Sequence, residues 1–108
     1  MPTTVQVTVQ TVGSTQTLVV EPDPVIIPPG IRGPIQWQIT NPPSEQWKFT
    51  RNGIDITNPA GEFDHPSGGG SRVFTWNNNH TKAGQYKYAV TVEKDGVQVS
   101  RDPTIMNN

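Results

Sequence analysis

The chain has 108 residues, the usual length of one domain and too short for two. Its net charge is −1, its mean hydropathy is −0.55, and no segment is rich in Lys or Arg. This composition excludes the basic surface that nucleic acid requires and the basic clusters that bind anionic membranes. We therefore expect a single domain over residues 1–108, with neither nucleic acid nor a membrane as its partner.

The sequence contains no cysteine, so disulfides, thiolate nucleophiles, iron–sulfur clusters and thiolate-ligated copper are excluded. The N-terminus has neither the basic nor the apolar region of a secretory signal. A cytoplasmic protein is expected if Met1 is the native start. A periplasmic or secreted protein is expected if the chain is a trimmed form.

The first half of the chain predicts short strands. Residues 5–12 alternate apolar and polar side chains, which is typical of a strand with one buried face. Further strands are predicted at residues 17–20, 25–27 and 35–39. Eleven prolines exclude long helices.

The second half continues the same pattern. A strand from residue 47 is broken by the turn signal Asn52-Gly53 and resumes at Ile54, whereas residues 60–71 form the least regular segment. Strands follow at residues 73–76 and 85–92, a hairpin at Asp95-Gly96, and last strands at 97–99 and 104–106. Eight or nine strands at this spacing predict an all-β fold, a two-sheet antiparallel Greek-key sandwich.

Two segments resemble the cupredoxin family, the plastocyanin-like and azurin-like copper proteins. Residues 25–27 (VII), the Pro/Gly turn after them and the strand containing Trp37 resemble the V-x-x-G-x-x-V-x-W stretch of that family. Residues 84–88 (GQYKY) resemble the G-x-Y-x-[FY] strand that precedes its copper-binding loop. The likeness extends from about Leu18 to Met106 and implies the cupredoxin-like sandwich.

The copper ligands of the family have no counterparts here. The family's cysteine would fall at Val90, and the strand continues through Thr91 and Val92 without a ligand loop. No histidine lies between Trp37 and Ile56, where the family has its first ligand. The resemblance therefore implies the fold without the redox activity, no cofactor, and Val90 as part of the core.

The only two histidines suggest a possible metal site. His65 and His80, with Asp64, could offer two imidazoles and a carboxylate to zinc, nickel or copper(II). Their spacing matches no known ligand pattern, and both also fit loop positions that face water. A metal site at His65, Asp64 and His80 is therefore one alternative.

Aromatic and amide side chains suggest a binding surface. An exposed Trp47 or Trp76 beside amides would resemble the sites of carbohydrate-binding or peptide-binding sandwiches. The competing interpretation is a core indole whose N–H donates to a backbone carbonyl. The predicted surface comprises Trp47, Trp76, Asn77, Asn78, Asn79 and His80, with residues 63–70 nearby.

The first strand, residues 4–12, contains neither Pro nor Lys. At the edge of a sheet it would lack the usual guards against pairing with another chain. It could then join two copies of the protein or add to a partner peptide. A position inside a sheet would prevent this, so a homodimer is a second alternative.

Catalysis is not expected. Ser67, Ser71, His65 and Asp64 are close in sequence, but residues 68–70 are three glycines, which form either a mobile tip or a loop with unusual backbone angles. A mobile tip would not hold a nucleophile and a base in place. The sequence predicts a non-catalytic binding module on a copper-less cupredoxin-like scaffold, with a protein or glycan partner.

Overall fold

The computed structural model describes residues 3–59 and 61–108, and within them ten β-strands and one 3-10 turn, Pro43–Glu45, make up the regular structure. No helix in this part of the chain is long and apolar enough to cross a membrane. The strands are β1 (Thr3–Val12), β2 (Thr15–Glu21), β3 (Val25–Ile27), β4 (Gly33–Ile39), β5 (Lys48–Ile56), β6 (Phe63–Ser67), β7 (Val73–Asn78), β8 (Gly84–Lys94), β9 (Val97–Arg101) and β10 (Thr104–Asn107).

The strands form two sheets. The first has the order β2-β1-β4-β7-β6, and the second has the order β3-β10-β8-β5, with β9 also paired to β8. The prediction of antiparallel sheets is wrong for two pairs, because β1–β4 and β3–β10 run parallel. After β2 the chain crosses to the second sheet to form β3 and returns as β4, which enters beside β1 in the same direction.

The position of β1 also bears on the predicted homodimer. The strand lies between β2 and β4: residues 3–7 pair with β4 and residues 6–12 pair with β2, so β1 is not an edge strand. Of the two positions considered from the sequence, the one inside a sheet is observed. Its apolar alternation reflects a strand with one buried face and a neighbour on each side.

Alternating side chains build the core as predicted. Val5 and Val7 of β1, Trp37 of β4 and Val90 of β8 are essentially inaccessible to solvent. Trp37 and Tyr88 join the two sheets, because the indole N–H donates to the phenol oxygen (3.1 Å) and the rings meet edge to face at 5.4 Å. Burial raises the pKa of the Tyr88 phenol, which therefore stays neutral. The prediction that Val90 fills core volume is confirmed.

Two local predictions are wrong, both near the first sheet's β6 edge. Asn52-Gly53 is no turn: β5 continues through it with a register shift between Phe49 and Ile54. A Cβ on Gly53 would lie 2.7 Å from the Phe49 Cβ, so the glycine permits this bulge rather than a reversal. The segment taken as irregular contains β6, whose own register shift after Asp64 hides its alternation.

The glycine-rich loop at residues 68–70 is packed against β5. Gly70 N–H donates to Phe49 O, and Phe49 N–H donates to Ser71 O, both at 2.8 Å. The Ser71 hydroxyl lies 2.9 Å from Gly68 O. Of the two interpretations offered by the sequence, the loop with unusual backbone angles is therefore the correct one, since Gly68 has φ +135°.

Candidate binding cleft

The structure separates the residues of the predicted contact surface. Trp47 precedes β5 at the end of the sandwich where Phe49 bonds Ser71, just before β7 begins. Residues 77–79 lie at the other end of β7, a strand length of roughly 20 Å away. Trp47 is also buried, with the Lys94 ammonium 5.7 Å from its ring centroid. It does not contribute to a surface with the asparagines.

Trp76 is a core residue, which is the second of the two interpretations considered from the sequence. Its ring N–H donates to the backbone oxygen of Ile54 at 2.8 Å, which links β7 in the first sheet to β5 in the second. Only 9% of the residue remains exposed. That remnant faces the space between β5 and β6.

Asn78 and His80 are buried, and their polar groups are engaged inside the protein. The amide of Asn78 exchanges hydrogen bonds with the Asn107 amide across the two sheets, at 2.8 and 3.2 Å. The two ring nitrogens of His80 lie 2.6 Å from Ile31 O and 2.8 Å from Asn108 O. Both side chains therefore hold strands and loops together, and neither faces a ligand.

Asn77 and Asn79 fix an aspartate at the start of β6. Asn77 and Asn79 each donate to the Asp64 carboxylate at 3.0 Å, and the His65 ring nitrogen approaches it at 2.7 Å. These contacts, that from Asn79 first, lower the pKa of Asp64 to about 2. The cluster explains the asparagines at positions 77 and 79, because an amide can donate to a carboxylate and accept as well, as Asn79 does from Asn77.

The predicted metal ligands do not form a metal site. His65 is exposed and contacts Asp64, whereas the ring nitrogens of His80 face backbone oxygens that leave no room for an ion. In residues 3–59 and 61–108, no three His, Cys, Asp or Glu side chains are grouped so that they could hold a metal ion.

Glu62 is a buried carboxylate that the sequence did not single out. It accepts from the backbone N–H groups of Thr81 and Lys82, each at 2.8 Å, and from the Asn107 amide at 3.3 Å. Burial by itself would raise the pKa of this carboxyl, but the hydrogen bonds outweigh burial and lower the pKa below its usual value. Since its oxygens are all engaged by the protein, Glu62 is a structural group.

A cleft of about 300 Å³ opens between β5 and β6, where the second sheet faces the edge of the first. The apolar side chains at its base are Ile54, Phe74 and Trp76. Its polar lining residues are Arg51, Asn52, Asp55 and Ser67. A volume of this size, with aromatic rings below a few polar groups, is typical of small ligand sites.

The two charged side chains of this cleft are available to a ligand. Arg51 and Asp55 are exposed, and within the described residues neither forms an ion pair or a side-chain hydrogen bond. This contrasts with Asp64 and Glu62, which are fully engaged by neighbouring groups. The cleft therefore offers one cation and one anion with their hydrogen-bonding capacity intact.

Backbone irregularities give the cleft its shape. The register shift of β5 and the shift of β6 at His65-Pro66 separate the two strands locally. The wall beyond them is closed by the glycine loop, where a Cβ on Gly69 would lie 2.7 Å from Arg51 O and one on Gly68 only 2.6 Å from the Phe74 Cα. Only glycines allow the loop to approach β5 and β7 this closely, so the wall depends on Gly68 and Gly69.

Other depressions on the molecule have a less suitable chemistry. One of about 470 Å³ is lined by Thr4, Gln6, Glu21 and Pro22 and includes no aromatic ring. Another, of about 420 Å³, is lined by Tyr88 together with Lys87 and Asp102, but the Tyr88 phenol is bonded to Trp37 and the Lys87 ammonium donates to the Thr104 hydroxyl at 3.1 Å. The β5–β6 cleft differs from it in having two aromatic lining residues and a cation, Arg51, whose side chain forms no hydrogen bond within the described residues.

Of the residues lining this cleft, the sequence singled out Trp76 as a binding residue and placed residues 63–70, which include the lining residues 66–69, near the predicted surface. It missed Arg51, Asn52 and Asp55, because the Asn-Gly pair predicted a turn there. A useful signal was present nonetheless. Arg51 and Asp55 are charged residues beside apolar Ile54 in an extended segment, and most other strands of this chain have neutral outer faces.

The chain matches no protein-family model and no curated protein sequence. The assignment of a function therefore depends on the geometry of the cleft.

Proposed function

We propose that this protein is a non-catalytic binding module whose ligand site is the β5–β6 cleft. The observation that carries the proposal is the pairing of an unpartnered Arg51 and Asp55 with the aromatic base formed by Phe74 and Trp76. The exposed part of Trp76, 9% of the residue, supplies apolar contact, and the polar groups supply orientation and specificity. The predicted contact surface at residues 77–80 is replaced by this site.

The hydrogen bonds that hold the lining groups of the cleft in place support a binding role. The indole of Trp76 is held by Ile54 O, and the glycine loop is held on β5 through Phe49. A ligand would therefore meet groups already in place, and little conformational entropy would be lost on binding. The structure also removes one argument against catalysis, namely that the glycine loop is mobile. The non-catalytic role now depends on the chemistry of the cleft lining.

That lining does not suggest a reaction. Asp55 is its one carboxylate and Ser67 its one hydroxyl, and no histidine lines the cleft. Nucleophilic catalysis would require a base within hydrogen-bonding distance of the nucleophile. This donor set suits hydrogen bonding to a ligand.

We further propose that the sandwich is a cupredoxin-like scaffold without copper. The strand containing Trp37 and the strand containing Tyr88 are joined in the core, and Val90 is buried where the family has its cysteine. Apolar packing at the position of the family's metal ligand is consistent with a scaffold that does not bind copper. In this protein the proposed ligand site lies instead at the side of the sandwich, between β5 and β6.

A panel of small polar compounds tests the proposed site. The panel contains neutral disaccharides, amino acids, nucleosides and short peptides, and the unfolding temperature is measured with each. A compound present at about ten times its Kd should stabilise the protein by about 1.4 kcal/mol. We expect at least one class to stabilise the wild type but not the double variant Arg51→Ala/Asp55→Ala.

The matched control is Arg32→Ala/Asp102→Ala, which removes the same two charges from exposed positions outside the cleft. It should respond to the panel as the wild type does. Stabilisation that survives in the cleft variant, or a panel that stabilises none of the three proteins, would contradict the proposal.

A further inference from the structure

We infer that Asn52 is a site of spontaneous deamidation, and that its conversion to aspartate or isoaspartate adds a negative charge to the β5–β6 cleft. The modification itself depends only on Asn52 and its neighbour Gly53. Its effect on a ligand rests on the proposed function, since Asn52 lines the same cleft.

The Asn52-Gly53 pair can react within its own backbone. In deamidation, the backbone nitrogen of the following residue attacks the side-chain carbonyl carbon of the asparagine. A C–N bond forms, the amide nitrogen leaves as ammonia with the proton of the attacking nitrogen, and a five-membered succinimide ring results. Water then adds to either carbonyl of the ring, which gives aspartate or isoaspartate. Glycine favours ring closure because it has no Cβ and allows the widest range of backbone angles.

The sequence separates Asn52 from other asparagines. It is the one asparagine that is followed by glycine. Asn41 and Asn58 each precede proline, which has no backbone N–H to lose when the ring closes. The pair that resembled a turn in the sequence, and forms none, is therefore also the pair with the chemistry best suited to deamidation.

The structure protects further asparagines and leaves Asn52 free. Four amides donate hydrogen bonds of 2.8 to 3.3 Å to other side chains, those of Asn77, Asn78, Asn79 and Asn107. Ring closure at these positions would break the bonds. Asn52 is exposed, and its amide forms no side-chain hydrogen bond within residues 3–59 and 61–108.

The bulge of β5 allows the backbone of the pair to move. The register on β8 passes from Phe49 opposite Val92 to Ile54 opposite Val90, so residues 50–53 have no partner on β8. The succinimide requires rotation about the bonds next to the reacting peptide group. In a regular strand this rotation would break pairs of the ladder, whereas here it breaks none between β5 and β8.

Deamidation would change the charge of the cleft from balanced to negative. Arg51 and Asp55 contribute one charge of each sign, and Asn52 contributes none. Aspartate or isoaspartate at position 52 adds a carboxylate and removes the hydrogen-bond donor of the amide. The cleft should then hold a cation more tightly and an anion less tightly than before.

The isoaspartate product would also disturb β5. Its main chain runs through the former side-chain carbonyl, which inserts one carbon atom between residues 52 and 53. The space at this point is limited, because a Cβ on Gly53 would lie only 2.7 Å from the Phe49 Cβ. We expect the purified isoaspartate form to unfold at a lower urea concentration than Asn52→Asp.

The test is peptide mapping by mass spectrometry after the full chain has been kept for weeks in neutral buffer, with and without guanidinium chloride. Deamidation replaces an NH₂ group by OH and so raises the mass of the peptide. We expect Asn52 to be converted first, at a rate within about tenfold of its rate in the unfolded chain. Asn78 should react at least about tenfold more slowly in the folded protein than in the unfolded chain, because its hydrogen bonds must break.

Two comparisons make the assignment specific. Asn52→Gln should stay unmodified over the same period, because its longer side chain must close a six-membered ring. Asp95-Gly96 can form the same succinimide with loss of water, and its products have an unchanged mass, so they are not mistaken for deamidation. Conversion of another asparagine before Asn52 in the folded protein, or conversion of Asn52 in guanidinium chloride alone, would overturn the inference.

Failure of the inference can be told from failure of the proposed function, because mass spectrometry requires no ligand. If Asn52 is converted but no compound of the panel separates the wild type from Arg51→Ala/Asp55→Ala, the inference stands and the proposed function is wrong. If a compound separates them and Asn52 is not converted, the reverse holds. A charged compound that needs Arg51 and Asp55 yet stabilises the wild type and Asn52→Asp equally would contradict the predicted effect on the cleft.

Discussion

At the scale of single residues, glycine is the residue on which the cleft depends. Gly68 has φ +135°, and a Cβ there would overlap the backbone of Val73 and Phe74. Gly33 provides a close comparison, because it has φ +123° and nothing within 4 Å of its Cβ position. The two sites share the cost of an unfavourable backbone angle and differ in steric overlap.

We therefore predict that Gly68→Ala lowers the free energy of unfolding by about 3 kcal/mol and Gly33→Ala by about 1 kcal/mol. Urea unfolding followed by Trp fluorescence measures both. Similar losses in the two variants would show that the loop does not pack against β7 as described.

At the scale of elements, Glu62 joins three segments that are distant in sequence. Its carboxylate holds the chain after β7 through Thr81 and Lys82, and it reaches β10 through Asn107. Because these hydrogen bonds lower the pKa of Glu62 in the folded protein, its ionised carboxylate stabilises the fold at pH values above the ordinary pKa of 4.5. That stabilisation is lost as the pH falls and the group is protonated.

Glu62→Gln should therefore lose about 2 kcal/mol of unfolding free energy at pH 7 and decline less steeply than the wild type below about pH 4.5. Asp64→Asn is the comparison variant. The pKa of Asp64 is lowered from its ordinary value of 3.8 to about 2 in the folded protein, so the stabilisation that its carboxylate provides is lost as the pH falls from 3.8 to about 2. An unchanged acid slope in Glu62→Gln, measured by urea unfolding at a series of pH values, would contradict the account.

Most strands could be predicted because a strand with one buried face alternates apolar and polar residues in the sequence. The strands around Trp37 and Val90 have this period, and their inward residues are buried. β6 could not be found in this way because its bulge interrupts the period, and β5 was divided because Gly53 resembles a turn residue. Strand direction also could not be predicted, since it depends on which sheet β3 joins.

At the scale of the whole molecule, each edge strand has a feature that hinders backbone pairing with another chain. Arg101 of β9 donates to Leu18 O of β2, which brings the edges of the two sheets together on that side. β3 has only three residues and is bounded by prolines, and β6 has its bulge at His65-Pro66. The outer side of β5 is covered by the glycine loop.

We predict a monomer, because β3 is short, β6 is irregular, and Arg101 links the edges of β2 and β9. Light scattering coupled to size exclusion should give a mass near 11.9 kDa over a wide range of protein concentration. A stable dimer would restore the self-association alternative. Arg101→Ala, which exposes Leu18 O, is the variant in which we would then look for stronger association.

The candidate site was less predictable than the fold. The histidines and asparagines attracted attention as chemical groups, yet His80, Asn78 and Asn79 satisfy other buried or half-buried groups. Sequence cannot distinguish such internal hydrogen bonds from a ligand site, because both use the same residue types. Arg51 and Asp55 became candidates only because the structure places them in one cleft with Phe74 and Trp76, and neither forms an ion pair within the described residues.

The most direct test of the binding cleft is a two-dimensional ¹H–¹⁵N NMR titration of the full chain with each compound of the panel. The account predicts that the first amide signals to shift belong to residues 51–55 and 67–69, and that residues 77–80 stay unchanged. Signals that shift first at residues 77–80, at the far end of β7, would contradict the assignment of the cleft. They would return the binding surface to the asparagine-rich end of the sandwich.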